Sequence, residues 1–156
     1  MRKLKYDGYS IVMQEVPNEV SLAININDCP YKCKGCHSKY LWEYEGSYLL
    51  DDIDELLTQY EGLITCVCFM GGDQNENDLF ICLNKVKEKQ IKTCLYTGKD
   101  SIDLISNSII QQLDYIKIGR YIEELGGLDK QTTNQRMYDL KNNKEILFYK
   151  REEEVN

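Results

Sequence analysis

The chain has 156 residues, enough for one domain with a real core but too few for an eight-unit barrel, which takes about 250. Nineteen Lys and Arg against 26 Asp and Glu leave a net charge of −7, which disfavours a phosphate backbone or an anionic membrane surface as partner. No apolar run approaches the ~18–20 residues of a membrane span, and the basic start MRKLKYDGYS has no apolar segment behind it as a secretory signal would.

Seven cysteines, an odd number without a leader, argue against a disulfide framework and for a reducing, cytoplasmic setting. Tyr9 to Val16 reads as a weak strand stopped by Pro17-Asn18. VSLAINI, Val20 to Ile26, is the first clear strand, and it runs directly into DCPYKCKGCH, Asp28 to His37. There Cys29, Cys33 and Cys36 follow the spacing C-x3-C-x2-C, too tight to staple distant parts of a fold but suited to wrapping one metal centre. Two readings stand at this point. One is a [4Fe–4S] cluster with three protein ligands and one open iron. The other is a zinc knuckle with a fourth ligand elsewhere, which Cys66 or Cys68 could supply, though their apolar neighbours suggest packing.

Tyr40 to Tyr44 suits a short helical turn. Asp51-Asp52 open a helix to about Tyr60, with the acids at the end where the helix dipole favours them. ITCVCFM, Ile64 to Met70, is short and continuously apolar, as a buried parallel strand would be. It breaks at Gly71-Gly72-Asp73, where two glycines let backbone approach a ligand without obstruction by Cβ. A helix from about Asn77 to Lys89 follows, then a strand Lys92 to Tyr96 ending at Thr97-Gly98. Asp100 or Ser101 caps an expected helix reaching Leu113. Tyr115 to Ile118 is the next strand, ending at Gly119. A loop with Gly126-Gly127 and a polar patch Lys130 to Asn134 lead to two late strands, Arg136 to Leu140 and Glu145 to Tyr149, joined by KNNK.

Strand, loop and helix thus repeat about four times, with no repeat, linker or low-complexity tract, so residues 1–156 read as a single domain. The pattern predicts an α/β fold with a mostly parallel sheet. At ~30 residues per βα unit it would be an open or partial (β/α) barrel. All the suspicious loops fall at the strands' C-terminal ends, where such sheets bind ligands. Cys66, Cys68, Cys82 and Cys94 lie in apolar segments and read as core. The single histidine, His37, reads as shaping the cysteine loop rather than moving a proton, and Trp42 as packing.

Three clustered cysteines just after a first strand, followed by Gly-Gly-Asp at the next strand end, resemble the radical S-adenosylmethionine superfamily. Within it, residues 20 to 140 resemble the activating proteins of anaerobic ribonucleoside-triphosphate reductases. The shared features are Gly35 before the third cysteine, Trp42 beyond it, Tyr96-Thr97-Gly98, Gly119-Arg120-Tyr121 and Thr133-Asn134-Gln135. Two departures are Asn18-Glu19 in place of a glycine-rich turn, and Ile118 in place of an Asp before Gly119.

The resemblance implies that Cys29, Cys33 and Cys36 hold a [4Fe–4S] cluster. It implies that S-adenosyl-L-methionine occupies the open iron, with Gly35, Cys36, His37, Gly71, Gly72, Asp73, Thr97 and Asn134 around it. It also implies an oxidoreductase that installs a glycyl radical on a partner reductase, fed by a flavodoxin- or ferredoxin-type donor. Two other readings remain: a small radical enzyme acting on a metabolite or peptide, and a non-enzymatic zinc or iron–sulfur interaction protein.

Overall fold

A computed structural model of the chain describes residues 2–31 and 43–148. In chain order the elements are β1 (Lys5–Val12), β2 (Ser21–Ile26), β3 (Ser47–Tyr48), α1 (Leu49–Gln59), β4 (Cys66–Met70), α2 (Glu76–Glu88) and β5 (Lys92–Tyr96). A 3₁₀ turn (Ile102–Leu104), α3 (Asn107–Ile110), β6 (Tyr115–Ile118), β7 (Arg136–Asp139) and β8 (Lys144–Ile146) complete the set. The strands form one eight-stranded sheet in the order β3-β1-β2-β4-β5-β6-β7-β8.

The expected open or partial (β/α) barrel with a mostly parallel sheet is corrected by this topology. Only β2-β4-β5-β6 are parallel. The pairs β1–β2, β1–β3, β6–β7 and β7–β8 are antiparallel, so the sheet is mixed, with β3 and β8 at its open edges. Parallel neighbours need a crossover, usually helical, whereas antiparallel neighbours need only a turn or loop. Among the described residues only α1 and α2 are substantial helices, of 11 and 13 residues.

The helix expected from residue 101 to Leu113 is replaced by the 3₁₀ turn and the four-residue α3. Ser101 does act as a cap, its Oγ accepting from the Asp103 N–H, but for a single turn. The first strand lies earlier than expected, at Lys5–Val12, and β3 was not foreseen. Tyr40 to Trp42, Tyr149 and the tail lie outside the described residues. Among those described, no helix is long and apolar enough to cross a membrane.

The core follows from residue spacing. In α1, Leu49, Ile53, Leu56 and Leu57 recur at helical period on one face, and α2 offers Leu79, Cys82, Leu83 and Val86. Asn75 caps α2, its Oδ1 accepting from the Asp78 N–H at 3.1 Å, and Lys85 and Lys87 sit at the end where cations are favoured. These faces pack on the alternate strand residues Leu22, Ile24, Ile26, Val67, Phe69, Leu95, Ile116 and Ile118. Ile118, found where an Asp was expected, therefore faces the helices.

The opposite alternation carries a second, smaller core of Val16, Cys66, Cys68, Cys94, Tyr115 and Met137. Val16 lies on the β1–β2 connection, which crosses this face through Asn18 at φ 69°, a left-handed conformation that Asn tolerates without a glycine. Beside it the buried Glu19 accepts from the Tyr115 hydroxyl at 2.7 Å and from the Lys92 ammonium at 3.0 Å. Burial alone would push the Glu19 carboxyl up, but these donors and Thr65 hold it below the ordinary carboxylate range.

Two outcomes follow. Phe69 is fully buried, so Phe69→Ala should lower unfolding free energy by about 3–5 kcal/mol in denaturant titration. Because the Glu19 pKa is depressed on folding, its contribution is complete above the unfolded value of about 4.3 and is lost as pH falls through the folded one. Stability measured against pH should therefore drop below about pH 4, and Glu19→Gln should flatten that limb.

Candidate functional site

The four parallel strands all end on one edge of the sheet, so the segments that follow them meet there. A cavity of about 180 Å³ lies among these ends. It is smaller than the ~300 Å³ at which pockets for whole drug-sized ligands begin, and suits an amino-acid-sized group. Its wall includes Cys29 and Tyr31 after β2, Gly71, Asp73 and Gln74 after β4, Thr97 and Gly98 after β5, and Lys117 and Arg120 of β6 and its exit.

The segment leading into the cysteine loop is fastened on several sides. The Asn27 N–H donates to Lys5 O at 2.9 Å, and the Asp28 N–H to Glu43 O at 3.1 Å. The Asn27 side-chain amide donates to Glu45 O. Asp28 takes the left-handed region at φ 62°, which turns the chain into Cys29. Cys29 is a free, half-buried thiol.

Gly71 and Gly72 adopt φ 103° and 117°, conformations that exclude most side chains. Both of their amide hydrogens are used within the protein. The Gly71 N–H donates to Tyr96 O at 2.9 Å, and the Gly72 N–H to Gln74 Oε1 at 3.0 Å. Asp73 is buried, with Oδ2 3.7 Å from the Lys99 ammonium and accepting from the Tyr31 hydroxyl at 3.4 Å. Burial first, then the Asp73 charge, pushes the Tyr31 phenol up to about 12.

On the far wall, the buried Thr97 accepts at Oγ1 from the Lys99 N–H at 3.1 Å. Lys117 is also buried, and its ammonium donates to Thr97 O at 3.2 Å and Gly119 O at 2.9 Å, 5.5 Å from the centre of the Tyr96 ring. Gln135 Nε2 donates to the same Gly119 O at 3.2 Å.

Of the residues expected at the site, Cys29, Gly71, Asp73 and Thr97 lie on this wall. Gly72 is buried behind it, near Leu79 and Leu4. Asn134 sits beside Gly119, donating from Nδ2 to Arg120 O at 3.1 Å, while its Oδ1 is buried without a hydrogen-bond partner. Cys33, Gly35, Cys36 and His37 lie outside the described residues. Tyr31, Gln74 and Lys117 were not foreseen, and Gln135 was named in a shared motif without being placed at the site. Lys117 had one signal, a lysine at an inward position of the apolar strand YIKI. Gln74 had none.

The donor chemistry can be tested against the expected groups. Among the described residues no three Cys, His, Asp or Glu side chains converge to hold a metal. Cys66, Cys68, Cys82 and Cys94 are fully buried, and burial pushes the thiols of Cys66 and Cys94 well up and that of Cys82 up to about 12. Thiols held protonated are poor ligands. Cys66 is therefore unsuited as a fourth zinc ligand, Cys68 is fully buried beside it, and Cys29 is the half-exposed thiol at the cavity. The cavity also presents both signs of charge, Asp73 against Lys117 and Arg120, over the apolar Ile26 and Met70. That combination fits a zwitterionic amino-acid group with a soft metal beside it.

A family model described as a 4Fe-4S single cluster domain matches residues 19–141. No curated protein and no solved structure matches the chain.

A Cβ at Gly98 would lie 2.6 Å from the Tyr31 ring. Gly98→Ala should therefore push Tyr31 away from Asp73, and in tyrosine-labelled NMR its phenol should titrate nearer the ordinary value of about 10.

Proposed function

The chain belongs to the 4Fe-4S single cluster domain family, and from that premise we propose that it is a radical S-adenosylmethionine enzyme that activates an anaerobic ribonucleoside-triphosphate reductase. The observation that carries this reading is the meeting of Cys29 with the Gly71–Asp73 turn at one cavity, since they arrive from adjacent parallel strands. Cys29, Cys33 and Cys36 would hold the cluster. The turn with Asp73, together with Thr97 and Lys117, would receive the amino-acid end of the cofactor, while Gly35, His37 and Asn134 complete its surroundings. The whole of 1–156 would act as one domain in the cytoplasm.

Held by Cys29, Cys33 and Cys36, a bound cluster would supply one-electron reductive cleavage of S-adenosylmethionine, the chemistry needed to remove a hydrogen atom from a glycine of the partner. The protein's own part is to bind and orient. The left-handed Asp28 turns Cys29 toward the cavity. Asp73 offers a fixed carboxylate to an ammonium group, and Lys117 and Arg120 offer cations to a carboxylate. Ile26, Met70 and Tyr96 keep the wall apolar, which strengthens these charge contacts. No step asks a side chain to shuttle a proton, in keeping with a single histidine. The electron would come from a flavodoxin- or ferredoxin-type protein.

Anaerobic protein should carry iron and sulfide with a broad brown absorbance. Mixed with S-adenosylmethionine, a reductant and a candidate anaerobic reductase, it should give a glycyl radical signal in EPR and 5′-deoxyadenosine in solution. Cys33→Ala should abolish both. Formation of 5′-deoxyadenosine without the glycyl signal would remove the partner and point to a small substrate, and colourless protein holding zinc would sink the reading.

A further inference from the structure

Gln74 stands between the two parts of the site. Its Oε1 accepts from the Gly72 N–H at 3.0 Å, and its Nε2 donates to Asn27 O at 2.9 Å and Asp28 O at 3.4 Å. One side-chain amide therefore joins the turn after β4 to the two residues that precede Cys29. We propose that Gln74 is a positioning residue that sets the cluster-bearing loop against the ligand-binding turn.

Three features support this role. The joined groups belong to different strand ends, so the hydrogen bonds do not merely stabilise one turn. Asn27 is almost fully buried and Asp28 adopts φ 62°, so the segment on the loop side has little freedom once Gln74 holds its carbonyls. Gln74 also lines the cavity itself, so a group bound there touches the residue that holds the loop. Outer partners of this kind orient metal ligands and tune the metal. Through Gln74, occupation of the cavity and the redox behaviour of the cluster become linked, and such linkage acts in both directions.

The effect on cofactor binding rests on the function proposed above, whereas the effect on the cluster rests only on the iron–sulfur family. Gln74→Glu separates the two halves of the amide. It keeps an acceptor for the Gly72 N–H but has no donor for Asn27 O and Asp28 O. Gln74→Leu removes both.

The test compares holo wild type with both variants for melting temperature, iron content, cluster midpoint potential, and the change in the reduced-cluster EPR spectrum on titration with S-adenosylmethionine. Both variants should fold and show a displaced potential, or lose iron while still folded. Where the cluster is retained, the apparent Kd for S-adenosylmethionine should rise about tenfold, a change of about 1.4 kcal/mol. A Gln74→Glu protein matching wild type in potential and in Kd would overturn the proposal, because the turn-side bond alone would then suffice. Unfolding of both variants would also overturn it, by making Gln74 a residue of the fold. If the wild-type spectrum does not respond to S-adenosylmethionine, the cofactor reading fails, and the potentials still decide the role of Gln74.

Discussion

The in-register parallel pairing of β2 with β4, Ser21 beside Cys66 through Asn25 beside Met70, is the contact on which the site depends. Because the two strands run the same way and stop at the same level, the chain leaving β2 and the chain leaving β4 emerge side by side. An antiparallel pairing would put them at opposite ends of the sheet. The next parallel neighbours, β5 and β6, extend the same edge and bring Thr97 and Lys117 to it. The register is protected by burial on both faces. A slip by one residue would carry Phe69 and Val67 to the sulfur-rich side and Cys66 and Cys68 into the helix-side core.

The flanking strands serve a different purpose. β1 and β3 border the cysteine segment, and β7 and β8 follow the polar patch around Asn134. Their antiparallel pairing lets them widen the sheet without further crossover helices. The helices accordingly collect on one face, and the other face is covered by irregular chain. Val16 covers that second face, where Met70 and Tyr96 of the cavity wall also pack, and the Glu19 network closes it near the starts of β5 and β6.

Much of the centre was legible from composition alone. ITCVCFM announced a buried strand because apolar residues continued without alternation, and Gly71-Gly72 announced its exit. The cysteine spacing pointed to a [4Fe–4S] protein, in agreement with the family model that matches residues 19–141. The overall architecture was misread because counting βα units assumes that every strand enters in parallel, and the sense of β1, β7 and β8 is set by tertiary pairing rather than by local propensity. The helix expected after Ser101 failed for a related reason. A capping residue marks where a helix starts, but Ile102-Asp103-Leu104 closes as a single tight turn before α3 begins. Within the site, the residues read in advance were a cysteine of the spaced cluster and residues at glycine-marked strand ends, Gly71, Asp73 and Thr97. Gln74 and Gln135 act through geometry that only the folded chain creates. The paired glycines were read as letting backbone approach a ligand, yet both of their N–H groups are already used by neighbours across the sheet and within the turn.

The buried sulfur atoms have a practical consequence for damage in air. Oxidants and alkylating agents need access to the sulfur, and Cys66, Cys68, Cys82 and Cys94 are fully buried. Cys29, half-exposed at the cavity, has no such shelter. Injury would start at the loop and spare the interior, leaving a scaffold that still folds. Inactivated protein should therefore be a candidate for chemical reconstitution rather than for disposal, because the sulfurs that maintain the architecture are not those that air consumes first.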